Sequence, residues 1–255
     1  MNAQGAGRLQ TRFRRVARPV SHKLWTFTLE GFDRLPAEGP AILCPNHISF
    51  LDSAFLMLNV ARNISFVGKA EYMDSWKTKF IFPAMGMIPI DRAGGDKSQA
   101  ALDTAEAVLR RGELFGIFPE GTRSRDGRLY KGRTGAARLA LKVGCPIFPV
   151  GVIGTREIQP PDAKAPRLRQ PCTIKIGRPI NVERYRARGE DHMILRQITD
   201  ELMYEIRELT GQEYRNVYAG KQAETEPTVV AKIAHVGDGE ADGVAREPMM
   251  ATAGE

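Results

Sequence analysis

The sequence has no run approaching the roughly 20 uninterrupted apolar residues that a membrane-spanning helix needs, and its N-terminus lacks the apolar stretch of a secretory signal. A protein that stays cytoplasmic is therefore expected. Cysteine is scarce: Cys44, Cys145 and Cys172 form an odd set in or beside apolar segments, which suits reduced, buried thiols rather than a disulfide framework. Histidine is scarce too, with His22, His47, His192 and His235 spread along 255 residues. A zinc site built on Cys44 and His47 would lack two further ligands at workable spacing. No repeat of solenoid or propeller period is present.

What is present is one core's worth of apolar residues, 42% of the chain, and an uneven charge. The net charge is +7, and six basic residues, Arg8, Arg12, Arg14, Arg15, Arg18 and Lys23, precede the first acidic one, Glu30. Residues 1–24 read as a basic arm able to lie on a membrane surface, with Leu24, Trp25 and Phe27 as candidate interfacial anchors. Residues 76–83 mix aromatics with two lysines and suit either an interfacial or a core-packed helix. From residue 219 the balance reverses to three basic against seven acidic side chains, a composition expected to be disordered. The domain is expected over residues 25–218.

Apolar runs at 41–44, 64–67, 87–90, 114–118, 147–153 and 173–176, bounded by Gly, Pro or Asn, read as buried strands. Helical periodicity marks 97–110, 134–143 and 192–209, with an apolar helix over 53–60 and Gly211 as a stop signal. Residues 27–32 alternate and suggest an added edge strand. Strands alternating with helices predict a single α/β domain with a mixed, mostly parallel central sheet flanked by helices.

Four blocks carry chemistry. In the first, His47 follows a predicted strand and Asp52 lies at or near the start of the next helix, where it can accept the His47 Nδ1 proton and leave Nε2 as a base. A loop histidine beside a capping aspartate is the plainer alternative, and Asn46 and Ser49 fit turn and cap roles. The second block ends a strand with Asp91 and Arg92. Arg92 offers a phosphate a planar fork of donors, though such a pair is commonly a surface ion pair. In the third, Gly121 permits a tight turn, so that Glu120 can point at a substrate hydroxyl and Arg123 can reach a phosphate; the alternative is a Glu–Arg pair within the turn. The fourth, residues 145–150, is apolar and lines a channel or forms core.

In this order, Asn46-His47 with Asp52, residues 86–92, residues 118–124 and residues 146–150 resemble the four motifs of the glycerolipid acyltransferases, the 1-acylglycerol-3-phosphate (lysophosphatidate) acyltransferase family. The likeness spans residues 35–182, and four ordered blocks are far more specific than one. It implies a catalytic His47 and Asp52 in an HxxxxD motif, and glycerol-phosphate binding by Arg92, Glu120, Gly121, Thr122 and Arg123. Lys69 matches a position that is often basic in the family. The resemblance implies transfer of a fatty acyl group to the sn-2 hydroxyl of 1-acylglycerol-3-phosphate, giving phosphatidic acid for phospholipid biosynthesis. Another lysophospholipid, glycerol 3-phosphate or a glycolipid as acceptor, or a non-catalytic membrane lipid-binding protein, are the alternatives.

The expected co-substrate is an acyl-CoA or acyl carrier protein thioester, with no metal, ATP or other cofactor. Expected partners are the lysophospholipid, the thioester and an anionic membrane surface, with no nucleic acid; the expected location is peripheral, on the cytoplasmic face of the cell membrane. Backbone amides near Ser53 are candidates for steadying an oxyanion.

Overall fold

The structure is a computed structural model in which residues 3–69, 78–90, 97–161, 163, 165–186 and 191–220 are described. The chain begins with α1 (Ala3–Leu24) and β1 (Thr26–Glu30), followed by β2 (Ala41–Pro45), α2 (Leu51–Asn59), β3 (Ile64–Lys69) and α3 (Thr78–Ala84). Next come β4 (Met87–Ile90), α4 (Lys97–Arg110), β5 (Leu114–Gly116), β6 (Leu129–Tyr130), α5 (Gly135–Val143) and β7 (Ile147–Ile153). The last elements are α6 (Thr155–Ile158), β8 (Pro171–Ile176), α7 (Glu183–Arg186), α8 (His192–Thr210) and β9 (Tyr214–Arg215).

Seven strands form one sheet in the order β1-β8-β7-β2-β5-β3-β4, and β6 pairs with β9 separately. Within the large sheet β7, β2, β5, β3 and β4 run parallel, while β8 is antiparallel to β7 and β1 parallel to β8. The α/β fold and its mostly parallel sheet are as the apolar runs foretold. β1 is indeed an edge strand, although it ends at Glu30 because Gly31, at φ 71°, turns the chain away.

All five residues of β2 are buried, and period-2 alternation sends them to opposite faces. Ile42 and Cys44 join the core beneath α4, α5 and α8; Ala41 and Leu43 join the one beneath α2. That burial on both faces explains why the strands lack a polar side. Gly116 lets the neighbouring strand lie close, since a Cβ there would come within 2.1 Å of the Phe66 ring. The thiols behave as expected: Cys44, Cys145 and Cys172 are free and buried, and burial pushes Cys145 and Cys172 up to about 12.

Within the basic arm expected over residues 1–24, residues 3–24 form a helix with a tertiary seat. The Gln10 amide closes a two-way bridge with the backbone of Ile64, its Nε2 donating to the carbonyl at 2.8 Å and its Oε1 accepting the N–H at 3.0 Å. Arg14 donates to the carbonyl of Arg62 and His22 Nε2 pairs with Asn59 Oδ1. Trp25 and Phe27 are partly buried against the core beneath α2. Their rings lie 5.1 and 5.0 Å from that of Phe55, and Trp25 Nε1 donates to the carbonyl of Arg167.

Because β2, β5, β7, β3 and β4 are parallel, their C-terminal ends share one edge of the sheet. The polar blocks follow the first two of those ends and the last. In open α/β sheets this edge is where ligands bind.

Candidate active site

The turn between β2 and α2 is tied down from every side. His47 Nδ1 and Asp52 Oδ2 are 2.9 Å apart, and the same Asp52 oxygen accepts the N–H groups of Ile48 and Ser49 at 2.8 Å each. Its other oxygen accepts the hydroxyl of Thr155 at 2.5 Å. Asp52 is wholly buried, while 19% of the His47 side chain is exposed. A buried carboxylate is tolerable only when its lone pairs are used, and here four donors use them. Asp52 holds Nδ1, so Nε2 is the nitrogen left for a substrate. The His47 ring stacks on Phe118, which follows β5, with centroids 3.7 Å apart and planes 17° from parallel.

Asp52 is in the first turn of α2 rather than at its N-cap, which is Phe50 and offers no side-chain bond. The aspartate thus closes the turn instead of capping the helix, and its charge also favours the helix N-terminus. The turn leaves few amides for an oxyanion. Those of Ile48 and Ser49 bind Asp52, that of Leu51 binds Ser49 Oγ and that of Asp52 binds the Ser49 carbonyl. The helix start therefore does not supply the expected oxyanion donors from these four positions. Cys44 is fully buried with its thiol raised by burial, and Ser49 is buried, so neither is presented as a nucleophile.

The third block meets the first directly. Ser124 N–H donates to the His47 carbonyl at 2.8 Å, and His47 N–H donates to Glu120 Oε1 at 2.9 Å, so the peptide groups on both sides of His47 are clamped. Glu120 Oε2 accepts from Tyr130 N–H at 3.0 Å.

The structure corrects the expectation for Glu120. Its side chain is fully buried with both oxygens turned to backbone amides, so it neither faces a substrate hydroxyl nor pairs with Arg123. Burial, opposed by those two amides, pushes its carboxyl up to about 8. Gly121 takes φ 77°, as a tight turn demands, and a Cβ there would meet the Arg133 side chain at 2.9 Å. Thr122 and Arg123 are exposed at the tip of that turn, next to Ser124 and hence to His47.

Arg92 and Asp91 lie outside the described residues, as do residues 76 and 77 and the side chain of Lys69. The ends of β4 and β3, which precede Arg92 and contain Lys69, are paired at the same sheet edge. The expected tail from residue 219 lies outside the described residues beyond Gly220.

The structure gives roles at the site that the sequence did not show, to Thr155, Phe118 and Asn46. Thr155, just after β7, completes the shell of Asp52, and Phe118 supports the imidazole. Asn46 is fully buried, exchanging hydrogen bonds with both the N–H and the carbonyl of Val152. A polar residue just past a strand end, as Thr155 is one glycine beyond β7, was the available signal.

A family model described as Acyltransferase matches residues 26–153, half of the chain. The chain is 31% identical over 140 residues to the chloroplastic 1-acyl-sn-glycerol-3-phosphate acyltransferase LPAT1 of Arabidopsis thaliana, a match over 54% of this chain and 39% of that protein. It is 30% identical over 125 residues to the 1-acyl-sn-glycerol-3-phosphate acyltransferase of Borreliella burgdorferi, over 49% of this chain and 50% of that one. The matches thus span half or less of these relatives' length. Among solved structures, the 1-acyl-sn-glycerophosphate acyltransferase PlsC of Thermotoga maritima matches with a TM-score of 0.59 and 21% identity over 78% of each chain, a likeness of fold.

Proposed function

Since the chain belongs to the Acyltransferase family, we propose that it moves a fatty acyl group from a thioester to the sn-2 hydroxyl of 1-acylglycerol-3-phosphate, with His47 as general base. The observation that carries this reading is the His47–Asp52 pair at 2.9 Å, held where the parallel strands end. Nε2 of His47 accepts the hydroxyl proton as that oxygen attacks the thioester carbonyl. The tetrahedral intermediate then collapses, the carbon–sulfur bond breaks, and the imidazolium returns the proton to the departing thiolate. Asp52 keeps Nδ1 protonated and stabilises the imidazolium. General base catalysis of this kind is worth about 10²–10⁴-fold, with positioning supplying much of the rest. Exposed Arg123 lies between Glu120 and Ser124, the two residues that clamp His47, and suits the acceptor phosphate.

The donor carrier, acyl-CoA or acyl carrier protein, is read from the test. Purified protein is offered each thioester with 1-acylglycerol-3-phosphate, glycerol 3-phosphate and lysophospholipids of larger head group, and released thiol is measured. Release should be fastest with 1-acylglycerol-3-phosphate and fall by about 10²–10⁴-fold or more in His47→Ala. Full activity of that variant, or no release with any pair, overturns the reading.

The substrates are amphiphiles, and α1 supplies a surface to meet them. Leu9, Val16 and Val20 are 42%, 69% and 51% exposed and, at spacings of seven and four residues, fall along one helix face. Arg8, Arg12, Arg15 and Arg18 are exposed on the same helix. No described helix is long and apolar enough to cross a membrane. Attachment would therefore be interfacial, at about 1 kcal/mol per basic residue near an anionic leaflet and weakened by salt. Flotation with anionic liposomes should fall on adding salt and on Val16→Glu with Val20→Glu; flotation unchanged in both would remove α1 as the contact.

A further inference from the structure

The geometry points to Gln212 as a positioning residue for His47, an inference that rests on the acyl-transfer reading only for its kinetic readout. Gln212 lies 59 positions beyond the last family-matched residue, Ile153, in the segment that follows α8. Gly211 at φ 70° ends that helix and turns the chain back towards the site.

From there the Gln212 side chain bridges two turns far apart in sequence. Its Oε1 accepts from Asn46 Nδ2 at 2.9 Å, and its Nε2 donates to the Gly127 carbonyl at 2.7 Å. Asn46 is the residue before His47, is fully buried, and spends its remaining amide capacity on Val152, whose N–H it accepts at 2.7 Å and to whose carbonyl it donates at 2.9 Å. The Asn46 side chain thus has no rotational freedom left while Gln212 is in place. Removal of Gln212 leaves one amide hydrogen of a buried group without its acceptor, which favours a shifted peptide at position 46.

The segment carrying Gln212 also reaches His47 by a second route. Leu129 N–H donates to the Glu213 carbonyl at 2.9 Å, and β9 pairs Tyr214 and Arg215 with Leu129 and Tyr130. Tyr130 N–H in turn holds Glu120, whose other oxygen holds His47 N–H. Residues 212–215 therefore touch both ends of the chain of bonds that fixes the His47 peptide, Gln212 doing so through its side chain.

The test compares Gln212→Ala, Gln212→Glu and Arg184→Ala in thiol release and thermal unfolding. Arg184→Ala deletes a two-bond pair with Glu201 that has no bond to the site, so it reports loss of stability alone. Gln212→Ala should lower kcat by about 10- to 100-fold with KM unchanged. Gln212→Glu, which keeps the acceptor for Asn46, should recover part of that loss, whereas Arg184→Ala should leave kcat intact. A wild-type kcat in Gln212→Ala, or a loss no greater than in Arg184→Ala at equal unfolding temperature, overturns the inference.

Should Gln212→Ala not fold, the Glu variant decides the matter in the same way, by kcat against KM. Imidazole ring 1H–15N spectra read the inference without substrate, with the His47 signal identified by its loss in His47→Ala. The Gln212 variants should shift and broaden its Nδ1 signal, and an unmoved signal overturns the positioning role. A wild type that releases no thiol, yet shows that shift in the variants, overturns acyl transfer alone.

Discussion

Two turns meet at the end of the sheet and are built in opposite ways. The His47 turn is buried and saturated: Asp52 takes four donors, and both peptide groups flanking His47 are engaged. The tip of the neighbouring turn, Gly121 to Arg123, is exposed, and its guanidinium reaches into solvent on a left-handed glycine. The base proposed at His47 must meet its proton at a set distance, which a turn bonded on every side before substrate arrives provides. A phosphate can be met by a long charged side chain that adjusts, so the second turn keeps its freedom. The contrast suggests that changes in the first turn act on kcat and changes at the second on acceptor KM.

The sharpest break is at the pair itself. Assayed by thiol release, His47→Ala should lose about 10²–10⁴-fold or more in kcat with the fold intact. Asp52→Asn should fall nearly as far, because an amide in that place offers hydrogens to a site built from donors and loses the tautomer control. At the exposed turn, Arg123→Ala should raise the acceptor KM about 10- to 100-fold with kcat little changed, the loss of a charge-assisted contact of about 1.5–3 kcal/mol. An equal fall in kcat would erase the distinction between the two turns. Thr155→Val should lower kcat about tenfold at constant KM, since it frees one oxygen of Asp52 without touching substrate.

The smallest effect is on stability. Glu120 ionises near 4.5 in the unfolded chain and near 8 in the folded one, so between these pH values the folded state binds more protons. The Glu120 contribution to stability is therefore full below that window and is lost as pH rises through it. Glu120→Gln should flatten this dependence in denaturant titrations from pH 5 to 9, and an unchanged slope would assign the pH effect to another group.

How much of this was legible beforehand depends on distance along the chain. The buried strands and α4 follow from local apolar pattern, and the bounds of α4 and β7 agree with it to the residue. His47 and Asp52 are five residues apart, across one turn and the start of a helix, so their meeting was also open to local reasoning. Residues 3–24 were read as an arm because the composition shows charge but not the Gln10 amide closing on Ile64, 54 positions away. Glu120 was misjudged for the same reason. A glutamate in a polar turn is usually solvated, and only the packed sheet edge turns its carboxylate towards His47, 73 residues distant.

The residues alone thus determined the α/β class, the order of the polar blocks and the pairing of His47 with Asp52, because periodicity and short loops act between near neighbours. Tertiary structure decided what surrounds that pair: Thr155 on Asp52 across 103 residues, Gln212 on Asn46 across 166, and Glu120 turned onto the His47 amide across 73. Hydrogen bonds over such separations form only once the parallel strands bring their ends to one edge. No local pattern encodes which loop will find which.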